Sequence, residues 1–398
     1  MSQWPTMRLG EICSIVGGGT PSRAEPEYFN GSIPWVTVKD FKRFRLLDAQ
    51  EHISEKAVVD SATNVVEPGT VLLVTRVGLG KVAIADARLA INQDIKGLTP
   101  NATVSSDFLF WFLLSQAARI ESMGAGATVK GVTLTDIKRI EVPTPPLPEQ
   151  RRIVDLLSRA EGIVRLRREA EKKAVELIPA LFNDMFGDPA TNPKGWPVST
   201  LGDAIESADY GSSTKASDDG SGVPLIRMGN VSYEGTLNLF ALKFVNLPPK
   251  EVEKYRLQQG DILFNRTNSK DLVGKTGLWN DSREAIAASY FIRLRAHPDK
   301  LHPCYLWVFM NSKYMKRILF DTARGAIGQA NINSKELKAF KIALPPLDLQ
   351  VSFAAKMDQI TSIQAQQSTA TAKAQATFDA LLDRCFAPTA AVEGGSSD

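Results

Sequence analysis

The stretch PTPPLPEQRRIVDLL, residues 143–157, returns in outline as ALPPLDLQVSFAAKM, residues 343–357. Pro145, Pro146, Leu147 and Gln150 match Pro345, Pro346, Leu347 and Gln350 at an offset of 200. Prolines suit the entrance of a helix, because the missing amide proton is not needed in the first turn and the fixed φ is already helical. The residues beyond them have helical spacing. Ile153, Leu156, Leu157, Ala160, Ile163, Val164, Ala170, Ala174, Leu177, Ile178 and Leu181 form one stripe, with Arg151, Arg152, Arg159, Arg167, Arg168, Lys172 and Lys173 mostly off it. The pattern predicts a long amphipathic helix with a near-heptad seam. Pro179 is expected to kink or end it, and Gly187-Asp188-Pro189 to stop it.

Residues 347–386 repeat the seam in register: Phe353, Ile360, Ile363, Ala374 and Leu381 stand 200 positions after Ile153, Ala160, Ile163, Ala174 and Leu181. Phe186 and Phe386 close both segments. The second segment is poorer in charge and richer in Gln, Ala and Thr, so it is the less secure helix in isolation and is expected to lean on a partner. That partner is the first helix, although each could instead pack on its own domain. A helix of about 38 residues would be roughly 55 Å long.

The rest of the chain is doubled too. Trp4-Pro5 with Leu9-Gly10 recurs as Trp196-Pro197 with Leu201-Gly202, EPGTVLLVTR (67–76) pairs with QQGDILFNRT (258–267), and FLFWFLLS (108–115) pairs with YLWVFMNS (305–312). The second of these pairs reads as a glycine turn and a short strand, the third as apolar helices. A period this long marks a domain duplication and not a solenoid.

Composition bounds the rest. The 398 residues suffice for two or more domains, and 43% hydrophobic with 23% charged residues is ordinary globular composition. Net charge is only +3, so a nucleic-acid surface would have to be local. Cys13, Cys304 and Cys385 are far apart and odd in number, which argues against a disulfide scaffold or a zinc site. MSQWPTMRLGEI has no secretory pattern and DFLFWFLLSQAA is too short to span a bilayer, so a cytoplasmic protein is expected.

No catalytic constellation emerges. His52, His297 and His302 are scattered without metal-ligand spacing. SKDLVGKT (269–276) approaches a phosphate loop but has Ser269 where the first glycine must be, and GAGATVKG (124–131) follows a helix where a dinucleotide loop should follow a strand. An Asp/Asn-Pro-Pro-aromatic tetrapeptide of amino-methyltransferases is missing, and no metal site or cofactor is expected on the chain.

Polar loop residues are more informative. Arg227 and Asn230 (with Tyr233), then Arg266, Asn268, Lys270 and Lys275, then Arg324, Gln329 and Asn331 fall in loops of the second half. Thr37, Lys39, Arg76, Asn92, Gln93, Thr128 and Lys130 hold matching places in the first. Arg can bridge guanine O6 and N7, and Asn or Gln can bridge adenine N6 and N7, so these types are suited to reading base edges. Each could equally be an ordinary polar loop residue.

Taken in order, PTPPLPEQRRIVDLLSRAE, LFNDMFGDP, KGWPVSTLGD, GDILFNRTNS and LPPLDLQ give residues 1–387 a pattern that resembles the specificity subunit of type I restriction-modification enzymes. The resemblance implies an α+β fold in which two similar target recognition domains are separated by two long helices forming an antiparallel coiled coil. The boundaries expected are 1–146 and 188–346 for the recognition domains, 147–187 and 347–387 for the spacer helices, and 388–398 for a disordered tail. It implies a non-catalytic subunit that recognises a bipartite double-stranded DNA site. It also implies two methyltransferase partners that carry S-adenosylmethionine, with motor-nuclease subunits able to join. The alternative is a duplicated, non-catalytic scaffold that binds protein partners.

Overall fold

The structure is a computed structural model and describes residues 4–124, 131–218, 220–326 and 329–386, of which 324–326 and 329 are described by backbone alone. The chain divides into two compact units, Met1–Arg168 with Thr369–Asp398, and Glu169–Ser368. Each unit is α+β, and each takes one segment from either long helical stretch.

In the first unit, strands Cys13–Gly17, Ile95–Pro100, Val71–Val74, Val82–Ala85 and Arg45–Leu46 form one sheet in that spatial order. Glu51–Ile53, Ile33–Val36, Leu89–Ile91 and Asn64–Val66 form another. The continuous apolar runs VLLV and VAIA are buried on both faces, which is why they do not alternate. Helix Ser106–Ser115 is apolar nearly all round and buries Phe108 to Leu113 against Val71, Leu73, Leu9 and Ile12. In the second unit, Ile205–Tyr210, Phe291–Ala296, Ile262–Asn265 and Thr276–Leu278 repeat the first sheet. Lys243–Val245, Val223–Ile226 and Ile286–Ala287 repeat the second, and helix Pro303–Asn311 repeats the buried helix.

Short ladders tie each helix entrance to the start of its domain: Thr6–Arg8 pairs Glu141–Pro143, and Val198–Thr200 pairs Lys341–Ala343. The repeated glutamines complete the joint. Gln150 is fully buried; its Oε1 accepts from Ser105 N at 2.9 Å and its Nε2 donates to Thr103 O at 2.8 Å and Pro145 O at 2.9 Å. Gln350 is fully buried and does the same with His302 N (2.9 Å), Lys300 O (3.1 Å) and Pro345 O (2.8 Å). The repeated motif is therefore a joint: two prolines set the entry, and the glutamine ties the first helical turn to the loop before the buried helix.

The two helical stretches differ in continuity. The first stretch is not one helix over 147–187 but two, Leu147–Ala174 and Leu177–Phe186. Glu176 keeps helical dihedrals (φ −80°, ψ −12°), so hydrogen bonding lapses while the backbone still turns. Pro179 accounts for this, because it has no amide proton to give Val175 and its ring crowds that carbonyl. Gln364 Nε2 from the second stretch donates to the carbonyl of Ala174 at the interruption. The second stretch, expected to be the less secure, is one uninterrupted helix, Leu347–Phe386.

Within each unit the paired segments run antiparallel. In the first, Arg168 donates to Gln375 at 2.9 Å, whereas Arg152 lies beside Cys385. In the second, Ala174 meets Gln364, whereas Phe182 and Phe186 pack edge-on against Phe353 with ring centroids 5.7 and 5.2 Å away. The closing phenylalanines anchor different cores: Phe186 packs on Tyr305 in the second unit, and Phe386 on Phe108 and Phe112 in the first. Burial of each such ring stabilises by about 1.5–3 kcal/mol.

Candidate nucleic-acid interface

Four backbone hydrogen bonds recur in both units and gather the same strand ends at one rim. Gly18 N donates to Ile95 O (3.2 Å) as Gly211 N does to Phe291 O (3.2 Å), and Gly19 N to Ile91 O (3.0 Å) as Ser212 N does to Ala287 O (2.8 Å). Thr75 N donates to Asp94 O (2.8 Å) as Arg266 N does to Tyr290 O (2.9 Å), and Val132 N to Thr75 O (2.9 Å) as Ile332 N does to Arg266 O (2.9 Å). The glycines are required by close approach: a Cβ on Gly18 would lie 2.0 Å from Asn92 O, and one on Gly211 2.3 Å from Ala287 O. These bonds make Gly17 equivalent to Tyr210, Thr75 to Arg266, Arg76 to Thr267, Asp94 to Tyr290 and Gly131 to Asn331.

The scaffold is shared; the side chains are not. In the first unit Arg76 is exposed, with Nε 3.8 Å from an Asp94 carboxylate oxygen, and Gln93 is exposed beside it. Lys39 is exposed on a 3-10 turn, Val38–Asp40, that Thr37 caps by accepting from Lys39 N at 3.3 Å. Asn92 is buried and shapes the next turn, accepting from Asp94 N at 3.1 Å. Thr128 and Lys130 lie outside the described residues.

In the second unit Arg266 is half-buried, with its Cζ 4.9 Å from the Tyr210 ring centroid and Nη2 3.3 Å from Asn331 Oδ1. Asn331 Nδ2 donates to Thr267 Oγ1 at 2.9 Å. Arg324 and Gln329 lie on the paired strands Arg324–Ala326 and Gln329–Asn331, and the latter strand also pairs Thr267–Asn268. Arg227 follows strand Val223–Ile226, whose Ile226 O accepts from Ala288 N at 2.9 Å.

Several second-half candidates are committed inside the protein. Asn230 is buried; it accepts from Arg227 N at 2.9 Å and donates to Asn238 O at 3.1 Å. Lys275 is buried, its Nζ bonded to Met228 O (2.7 Å) and Val231 O (2.6 Å), and burial lowers its pKa from the ordinary lysine value. Asn268 is half-buried and donates to Asn265 Oδ1 at 2.8 Å, whereas Lys270 stays exposed, its Nζ 4.4 Å over the Phe320 ring. The rim also holds residues that residue type alone did not single out: Tyr210, Tyr290 and, in the first unit, Lys96, whose Nζ lies over Gly17. The available signal was an aromatic directly before the glycine of a tight approach, Tyr210-Gly211.

Among the described residues there is no group of three or more His, Cys, Asp or Glu placed to hold a metal, and no helix is long and apolar enough to cross a membrane.

Comparisons with known proteins agree with this architecture. The chain is 29% identical over 223 residues to the type I restriction enzyme MjaIX specificity subunit of Methanocaldococcus jannaschii, a match covering 51% of this chain and 52% of that relative. The match thus spans about half of the curated relative's length. Among solved structures, a chain from a study of complex assembly and conformational transition in a type I R-M system aligns with TM-score 0.64 and 20% identity, covering 96% of this chain and 97% of that one. The S subunit of a type I restriction-modification system from M. genitalium aligns with TM-score 0.56 and 15% identity, over 97% and 96% of the two chains. At these identities the structures speak to fold alone. The family model described as type I restriction modification DNA specificity domain matches twice, over residues 1–177 and 193–374, and the chain belongs to that family.

Proposed function

We propose that this chain recognises a bipartite DNA sequence, one half-site for each unit, and directs methyltransferase subunits to it. The observation that carries this reading is the duplicated rim: one backbone scaffold presenting two different sets of cationic, amide and aromatic side chains. A scaffold that gripped the same protein partner twice would be expected to present the same side chains twice. Two readers of different half-sites need this divergence, because phosphate contacts position a protein whereas base contacts specify. The name of the M. jannaschii relative, a specificity subunit, supports the same reading.

On this reading the chain does no chemistry itself and needs no cofactor. Two methyltransferase subunits supply S-adenosylmethionine and transfer the methyl group, motor-nuclease subunits can join them, and the assembly works in the cytoplasm. Arg76 and Gln93 in the first unit, and Arg227, Arg266 and Asn331 in the second, are the side chains best placed to meet DNA. The test is to compare methylated motifs across the genome of a host with and without this gene. A split motif methylated only when the gene is present is expected; identical methylation in both hosts, with the partner subunits expressed, would overturn the reading.

A further inference from the structure

We propose that Arg266 reads a guanine in the half-site faced by the second unit, and that Tyr210 is the positioning residue that fixes its plane. This rests on the reading of the chain as a DNA-recognition subunit and assigns one base to one side chain within it.

Arg266 is held from several directions. The Tyr210 ring lies 4.9 Å from its Cζ, and the ring is itself tethered because Tyr210 Oη accepts from Ser334 N at 3.2 Å. Asn331 Oδ1 accepts from Nη2 at 3.3 Å, and the orientation of that amide is fixed by its own donation to Thr267 Oγ1 at 2.9 Å. The Nε is buried, with no hydrogen-bond partner among the described residues. Arg266 also makes no ion pair among them, so its charge is braced by a ring and a neutral amide.

Such a brace supplies direction. A phosphate contact needs only a nearby positive charge and tolerates a mobile side chain, whereas a bidentate contact needs the guanidinium plane set in advance. With Nε inside and one Nη2 hydrogen taken by Asn331, the outer edge of the fork remains: Nη1 and the second Nη2 hydrogen. Two adjacent donors require two adjacent acceptors. In the major groove guanine offers O6 and N7, adenine sets a donor beside its acceptor, and cytosine presents a donor. The first unit has Gly17 where the second has Tyr210, and Thr75 where it has Arg266. The first unit therefore has no counterpart of this braced arginine, and the requirement assigned to Arg266 belongs to the second unit's half-site.

The experiment is enrichment of randomised duplexes by the assembled complex carrying the full chain, as wild type, Arg266→Lys, Tyr210→Ala and Tyr210→Phe. Wild type is expected to select a guanine in the half-site read by the second unit. Replacing it with 7-deazaguanine, which lacks the N7 acceptor, should weaken binding by about tenfold. Arg266→Lys keeps the charge but replaces the planar fork by a single flexible ammonium, so both the preference and the 7-deazaguanine effect should fall while the other half-site stays as in wild type. Tyr210→Ala should lose most of that preference and Tyr210→Phe, which keeps the ring, should restore it; a merely structural defect would not be confined to one base of one half-site. An unchanged guanine preference in Arg266→Lys overturns the assignment to Arg266, and wild-type selectivity in Tyr210→Ala overturns the positioning role. A wild-type complex that enriches no sequence at all overturns the DNA reading itself, and this proposal with it.

Discussion

Lys316 shows how one half-buried charge can leave a signature in solution. Its Nζ donates to Gly274 O at 3.1 Å and lies 4.9 Å from the Tyr233 ring. Burial lowers its pKa to about 8; Glu234 works against the shift and Lys275 adds to it. The folded chain therefore releases this proton near pH 8, while the unfolded chain holds it until about 10.4. Between those values the unfolded state binds more protons, so this group makes stability rise with pH through the window. Removing the charge in Lys316→Met should abolish that rise. Denaturant melts at pH 7 and pH 10 should show the difference between the two proteins moving in favour of wild type by about 1–3 kcal/mol; an equal difference at both would refute the half-buried charge. The same comparison of chemistry with burial explains what the sequence could say about the rim. Arg266 and Asn331 were legible by residue type. Asn230 and Lys275 have the same chemistry but are turned inward, and only tertiary structure separates them from the side chains left at the rim. Tyr210 was illegible because its ring meets Arg266 and its hydroxyl meets Ser334, both distant in sequence.

At the scale of elements, the glutamine joints make the sharpest expectation. Gln150→Leu would take from the Ser105 amide and the Thr103 and Pro145 carbonyls the partner that the buried glutamine supplies, at a cost of about 1–3 kcal/mol, most of it at the buried Pro145 carbonyl. Gln350→Leu should cost a similar amount in the second unit, while the exposed Arg151→Gln should stay within about 0.5 kcal/mol. Urea unfolding checks all three, and a near-neutral Gln150→Leu would mean that the loop finds other partners. Both helical stretches and both buried apolar helices were readable from periodicity and entrance prolines. The interruption at residues 175–176 was half readable, since Pro179 announced a fault but not its exact form. The continuity of Leu347–Phe386 was not readable from charge, because its support is external. Phe353 and Met357 are buried in one core and Phe378 and Leu382 in the other, and Gln364 bonds to Ala174. A Gln-rich helix that looks weak alone is suited to serve a neighbour's unpaired carbonyl.

For the whole molecule, the repeat made two similar domains legible, but not that each core borrows from both helical stretches. That borrowing changes how a spacer must be altered. Lengthening only one helix would pull Phe378 or Phe182 out of its core, so insertions belong in both, after Arg168 and after Ser368, where the two units divide. Seven residues in each keep the seam and add about 10 Å, equivalent to about three base pairs. On the proposed function, methylome sequencing should then find both half-sites unchanged and the gap between them longer by about three. A folded, active variant that kept the original gap would show that the helices do not set it.

The borrowed helix segments also impose an order on synthesis. The second unit's core draws on Phe182, Phe186, Phe353 and Met357, whereas the first unit's core needs Phe378 and Leu382. Phe378 lies 210 positions after Arg168. At ribosomal rates of about 5–20 residues per second, the earlier-made unit waits about 10–40 s for the strip that closes it. The part of the chain born first is thus finished last, and during that interval Phe108 and Phe112 lack the Phe386 ring that later covers them. A nascent chain of this design is most open to proteases and chaperones near its beginning, long after that region has left the ribosome.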